Sequence, residues 1–295
     1  LGDVYKRQHN NIMNILQKIF NDYYEVIKYT LHPRDSEMEN IDKMLNCGDP
    51  SFGGAMYVCT TCHNMKFVSF RCKSRFCPTC GVKYSQERST SMAFKLVNCT
   101  HRHCVFTIDE ELRHFFLEDR SLLNCLFRAV QSVILRMFNK MNQSQNFVPG
   151  FICVLHTFGR PLEWNPHIHC ILSEGGFSDN AIWRPVKHFN YTYLRNAFQT
   201  ALLNEMEQHI GPSFKKIKAY IYHKDKNGFY VYAKPNLCDP NTVIKYIGRY
   251  LGRPVIALKR IDSYDGENVT FHYNRHEDNA VSYTHLRAHE TGRNL

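Results

Sequence analysis

The sequence has no uninterrupted apolar run near the roughly 20 residues that cross a bilayer, so no membrane-spanning helix is expected. Its first residues lack the cationic start, apolar stretch and small-residue cleavage site of a secretory signal, and export is not expected. No internal repeat and no low-complexity tract are present, which argues against solenoids and long disorder. The phosphate loop G-x-x-x-x-G-K-[ST] is also missing, so nucleotide-driven chemistry of that kind is not indicated. Acidic residues are the scarcer charge: 27 Asp plus Glu face 37 Lys plus Arg, a net charge of +10. On a chain of ordinary globular composition, that surplus suits a polyanion, and nucleic acid is the commonest one. A basic enzyme with no such partner is the plainer alternative.

Cysteine is not scarce. There are twelve, and six of them fall between positions 47 and 80. A chain of 295 residues with no export signal is not the small secreted domain in which disulfides are dense, so the cluster reads as a metal site.

Apolar spacing predicts helices over 11–29, 36–46, 82–97, 120–142 and 191–210. Strands are expected over AMYV and KFVSF in the cysteine region, and then over 103–108, 151–158 and 167–172. Segments 217–223 and 228–234 flank the pair Asn227-Gly228 and read as a hairpin. A helix over 241–252 begins beside Pro240 and stops before Pro254, and two strands, 255–261 and 268–274, follow around Asp265-Gly266. The mixed order predicts an α+β protein: an N-terminal helical and zinc-ribbon domain over 9–98, then a domain over 99–280 with a mainly antiparallel sheet and packed helices. Residues 1–8 and 281–295 show no apolar periodicity and read as sequencing artefacts, with the natural chain expected to continue beyond about 280.

Cys59-Thr-Thr-Cys62 and Cys77-Pro-Thr-Cys80 are two C-x₂-C units fourteen residues apart. Each presents two thiolates from one tight turn, and two such turns complete a tetrahedral, closed and therefore structural site for Zn²⁺. Cys72 and Cys47 are alternates that could replace a member. Arg71, Lys73, Arg75, Lys83 and Arg88 surround the cluster and could hold DNA phosphates, or could form an ordinary solvated face.

His167 and His169 stand two apart in a strand, so both imidazoles point to one face. The segment 159–166 carries Gly, two Pro and Asn, which is turn chemistry, and a hairpin through it would bring His156 beside the pair. Three histidines so placed suit a divalent cation that also holds phosphate. The bland reading is an accidental H-x-H among sixteen histidines; His101-Arg102-His103 also spells H-x-H but follows no tight turn. In the helix 241–252, Tyr246 and Tyr250 are four apart and share a face, bordered by Lys245, Arg249 and Arg253. Core packing is the ordinary reason for such a tyrosine pair. Beside a cation that polarises phosphate, the phenols become candidate nucleophiles.

The ordered series CTTC…CKSRFCPTC, HTFGRPLEWNPHIHCIL and KYIGRYLGR resembles the rolling-circle insertion-sequence transposases of the HUH endonuclease superfamily, in the two-tyrosine group with an N-terminal zinc-binding domain. The resemblance covers most of residues 40–275. It implies an HUH-type sheet with the paired histidines on a central strand, and Mg²⁺ or Mn²⁺ held by His167, His169 and a third polar ligand, for which His156 suits. It implies Tyr246 and Tyr250 as the catalytic pair, attacking single-stranded or hairpin DNA ends of a mobile element to give a 5′-phosphotyrosine. Zn²⁺ is then structural, and the location is the bacterial cytoplasm, at the nucleoid. The alternatives carried are a plasmid replication initiator or relaxase of the same chemistry, a non-catalytic zinc-ribbon DNA-binding protein, and a nuclease that uses water.

Overall fold

The structure is a computed structural model, and it describes residues 13–74, 76–141, 147–186, 189–238, 242, 248, 256–275 and 280–287. The chain divides into two compact units. Of the described residues, the first takes in 13–74, 76–88, 160–162, 256–275 and 280–287; the second takes in 89–141, 147–159, 163–186, 189–238, 242 and 248.

In the first unit, helix α1 (Ile15–Leu31) starts at Asn14, whose side chain accepts from the amides of Leu16 and Gln17 while Gln17 reaches back to the Asn14 amide. This reciprocal cap satisfies donors that a helix start leaves unpaired. Leu16, Ile19, Phe20 and Ile27 form the buried stripe. Gln17 Nε2 donates to Met44 O at 2.9 Å, tying α1 to helix α2 (Asp35–Leu45). A hairpin of β1 (Gly54–Val58) and β2 (Met65–Ser69) follows, then helix α3 (Pro78–Ala93). Phe76 meets Phe20 edge to face with centroids 5.5 Å apart, packing the entry to α3 on α1.

In the second unit, β3 (His101–Phe106), β4 (Phe147–Phe158), β5 (Trp164–Ser178), β6 (Trp183–Pro185) and β7 (Val231–Cys238) form one sheet. Its order is β4-β5-β3-β7, with β6 on β5, and every pairing is antiparallel. A short helix α4 (Arg113–Glu118) precedes α5 (Leu123–Met141), and α6 (Tyr191–Ile210) and α7 (Lys215–Lys224) follow the long hairpin. One face of the sheet, with Cys104, Phe106, Ile168, Cys170 and Leu172, packs on Leu126, Val130, Val133 and Met137 of α5 and on Leu194, Phe198 and Leu202 of α6. Each large apolar side chain buried there is worth about 1.5–3 kcal/mol. Residues 120–141 are long and apolar enough to cross a bilayer by length and composition, yet the apolar side of α5 faces this core.

The structure differs from three expectations. Residues 217–223 are helix α7 and not a hairpin strand. Ile217 and Ile221 fit a four-residue repeat as well as an alternating one, and Ile221 is buried on the core. The Asn227-Gly228 turn instead ends that helix: Gly228 has φ +76°, its amide donates to Asp225 O, and a Cβ there would lie 2.5 Å from the Arg195 carbonyl carbon. The two compact units divide inside α3, between 88 and 89, where the sequence placed a boundary at 98/99. Residues 256–275 and 280–287 join the first unit, not the five-stranded sheet: β8 (Ile261–Tyr264), β9 (Asn268–Asn274) and β10 (Val281–Arg287) make a separate sheet in the order β10-β9-β8. Tyr264 donates to Asp22 at 2.9 Å and Tyr23 donates to Gly266 O at 2.7 Å, fastening this sheet to α1. Segment 281–287, expected to be foreign, pairs with β9 residue by residue. A strand edge offers backbone donors and acceptors that do not depend on side-chain identity.

Candidate functional site

Two clusters of metal-ligating side chains stand out, one in each unit. In the first, the sulfurs of Cys47, Cys72, Cys77 and Cys80 all lie within 4.8 Å of one another. Cys47 and Cys80 are 3.5 Å apart, and the Cys72 amide donates to Cys47 Sγ. Sulfurs bound tetrahedrally to one Zn²⁺ at about 2.3 Å sit roughly 3.8 Å apart, so this donor set fits that ion. Burial pushes Cys77 up to about 11 and Cys72 higher still. Such a cluster cannot carry its full thiolate charge without a cation.

The structure brings Cys77 and Cys80 together with Cys47 and Cys72, and not with the expected Cys59 and Cys62. Cys59 and Cys62 are exposed at the hairpin tip, where His63 N donates to Cys59 O and Cys59 N donates to Asn64 O. The alternates Cys47 and Cys72 take their places. Cys47 follows the end of α2 and Cys72 follows β2, so both come to the base of the hairpin beside the start of α3. Cys59 has the same local turn as Cys77: amides two and three residues on donate to each sulfur, and at the exposed tip they bring Cys59 down to about 7. That shared turn is why spacing alone pointed to Cys59 and Cys62. Arg71 and Lys73 flank Cys72 and are exposed, as are Lys83 and Arg88 on α3; Arg75 lies outside the described residues.

The second cluster is on the sheet face opposite the core. Ile168 and Cys170 point into the core, so His167 and His169 share the other face. The turn between β4 and β5, closed by Gly159 N donating to Glu163 O, sets the register His156↔His167. Trp164 Nε1 donates to Arg113 O at 2.8 Å and anchors the start of β5. His156 Nδ1 is 3.2 Å from His167 Nε2, which is 3.1 Å from His169 Nε2. His167 Nδ1 is 2.6 Å from the Asn165 carbonyl, so that nitrogen carries the proton and Nε2 keeps its lone pair. Burial first, with mutual repulsion second, lowers His156 to about 4 and His169 to about 2. Burial lowers His167 as well. Neutral imidazoles can hold this spacing through ring N–H···N hydrogen bonds, and nitrogens bound to one cation at about 2.1 Å take the same spacing near a right angle. The three nitrogens thus fit a divalent ion with coordination positions left over.

A fourth histidine joins them. His103 Nε2 is 3.0 Å from His169 Nδ1, with the rings stacked 5.2 Å apart. His101-Arg102-His103, set aside in the sequence, therefore does contribute one member. The signal was the same i, i+2 spacing in a strand; what the sequence did not carry was the pairing of β3 with β5. Tyr246, Tyr250, Lys245, Arg249 and Arg253 lie outside the described residues; Thr242 and Gly248, on the same segment, are helical.

Comparison with known proteins follows this geometry. The family described as "Transposase zinc-binding domain" matches residues 19–108, and the family described as "Putative transposase" matches residues 150–295. The "Transposase for insertion sequence element IS801" of Pseudomonas savastanoi pv. phaseolicola is 27% identical over 262 residues, covering 84% of this chain and 63% of that protein. The "Putative transposase y4qJ" of Sinorhizobium fredii is 27% identical over 252 residues, covering 79% of this chain and 63% of its own length. The chain thus spans 63% of the length of these curated relatives. No solved structure matches it. The zinc-binding match spans the four-cysteine cluster and the transposase match spans the histidine hairpin, so over both regions the chain is similar to transposases that carry a zinc-binding domain.

Proposed function

We propose that this chain is the cleaving and joining part of a DNA transposase that works through a covalent phosphotyrosine. The observation that carries the reading is the convergence of His156, His167 and His169 on one sheet face, with donor atoms about 3 Å apart and burial holding all three neutral. Tyr246 or Tyr250 attacks a phosphodiester of single-stranded DNA. The phenol oxygen bonds to phosphorus and gives up its proton to solvent. The bond from phosphorus to the 3′ oxygen breaks, and that oxygen takes a proton to become a free 3′-hydroxyl. The 5′ side stays on the tyrosine, and the reverse attack by a 3′-hydroxyl joins a new strand with no nucleotide cofactor. The second tyrosine allows a second transfer before the first resolves.

His156 Nδ1, His167 Nε2 and His169 Nε2 are the atoms that would hold a divalent cation, which when bound supplies Lewis-acid polarisation of the phosphoryl oxygen. Imidazole suits later, softer ions better than Mg²⁺, which prefers oxygen, so Mn²⁺ is the better occupant of the two. Lys245, Arg249, Arg253, Arg71, Lys73 and Arg75 are assigned to phosphates of the DNA. Cys47, Cys72, Cys77 and Cys80 are the residues that would hold Zn²⁺, which would tie the segments of the first unit together as a closed, structural site.

The test is a denaturing gel of labelled, hairpin-bearing single strands incubated with protein and Mn²⁺. The expected result is a metal-dependent covalent adduct that survives in at most one of Tyr246→Phe and Tyr250→Phe and is lost in the double variant. Cleavage that persists in the double variant without an adduct would replace this reading by a water-using nuclease.

A further inference from the structure

We infer that His103 is a positioning residue for the triple-histidine site: it accepts a hydrogen bond from Nδ1–H of His169 and so fixes the tautomer that turns the His169 Nε2 lone pair toward the cation. The inference rests on the reading of His156, His167 and His169 as a cation site.

The geometry makes His103 more than a neighbour. It comes from β3, across β5 from the strand that supplies His156. His103, His167 and His169 are each 9% exposed, so bulk water does not substitute for their ring contacts. A neutral imidazole has one donor and one acceptor nitrogen, and the bond made by one decides the role of the other. His167 is fixed in this way by the Asn165 carbonyl. For His169, the polar atom facing Nδ1 is His103 Nε2, at 3.0 Å. If the proton sat on His103 Nε2 instead, the neutral His169 would be protonated on Nε2, 3.1 Å from His167 Nε2, and could not act as a ligand there. The site therefore needs His103 as acceptor, with its own proton on Nδ1. Ligand histidines in metal sites use such a second bond, and its loss typically weakens metal binding by about 10–100-fold.

The test uses the whole chain, with Mn²⁺ and the diamagnetic Mg²⁺ as the probes. Proton–nitrogen correlation spectra of the imidazole rings, in protein saturated with Mg²⁺, report which nitrogen of His169 is protonated, with His169→Gln as the assignment control. Nδ1–H is expected in the wild type. His103→Phe keeps a ring of similar bulk and removes the acceptor; there the His169 proton is expected to shift toward Nε2. Mn²⁺ affinity, followed by the resonance of the free ion, is expected to fall about 10–100-fold in His103→Phe. It is expected to recover in His103→Gln, whose amide oxygen can accept the same bond. A wild-type His169 protonated on Nε2 overturns the inference, whatever the metal data. Unchanged tautomer and unchanged Mn²⁺ affinity in His103→Phe overturn it as well. If the wild type binds no Mn²⁺, the cation-site reading fails, and the His169 tautomer still decides the role of His103.

Discussion

The cysteine cluster and the histidine cluster are both convergent sets of ligands, and they differ in number, softness and setting. Four thiols crowd the base of a hairpin in the first unit, enough to supply every corner of a tetrahedral site. Three imidazoles stand on one face of a sheet in the second unit and leave coordination positions unfilled. Four soft donors make a site that holds chain segments together; three borderline donors with room beside them make a site that can hold a reacting group. The difference is also one of protonation. Burial raises Cys72 and Cys77, so the thiols must shed protons to bind a cation. Burial lowers the histidines, so their lone pairs are already present.

The largest effect should come from the closed site. Cys77→Ser should abolish zinc binding and the cooperative melting of the first unit, because structural zinc contributes on the order of 10 kcal/mol to small domains. Zinc stoichiometry and calorimetry check this, and a Cys77→Ser protein that keeps its zinc would break the comparison. Next, His167→Ala should slow adduct formation roughly 10³-fold, the several kcal/mol expected of lost charge stabilisation, while zinc content stays unchanged. Rates of adduct formation on labelled DNA measure it.

Proton release sharpens the contrast further. At pH 7, zinc loading should release protons from the raised thiols. Mn²⁺ loading should release almost none, since His156 at about 4 and His169 at about 2 are already neutral. Calorimetry in two buffers of different ionisation heat separates the cases. The same depressed histidines set a stability window. Between about pH 6.5 and pH 4 the unfolded chain takes up protons that folded His156 and His103 refuse, so stability is full above that window and falls as pH drops through it. The slope is at most about 1.4 kcal/mol per pH unit for each histidine, and acid titration of metal-free melting follows it. The smallest effect belongs to the hairpin tip. Cys59→Ser should leave zinc stoichiometry intact and change stability within about 0.5 kcal/mol, as exposed substitutions do. Loss of zinc in Cys59→Ser, with retention in Cys47→Ser, would restore the pairing that spacing suggested.

Much of the histidine site was legible because its geometry is nearly local. A period of two fixes the shared face of His167 and His169, and a short turn rich in Gly and Pro fixes the neighbouring strand that carries His156. The cysteine set was legible as a metal site but not in its membership. The turns at Cys59 and Cys77 are chemically alike, and only packing decides that the hairpin base, not its tip, meets the start of α3. Residues 217–223 were misread for a similar reason: their apolar spacing satisfies two periods, and burial of Ile221 on the core chose the helix.

The sequence by itself determined the residue types, the charge surplus, the antiparallel α+β character and the local pairing of β4 with β5, because strand period and turn chemistry act over a few residues. Only the tertiary structure decided which four cysteines converge, that the strands after residue 256 fasten to α1, and that His103 reaches His169. Those three depend on contacts between segments 25 to 243 residues apart, and no local periodicity encodes which distant surfaces will pack.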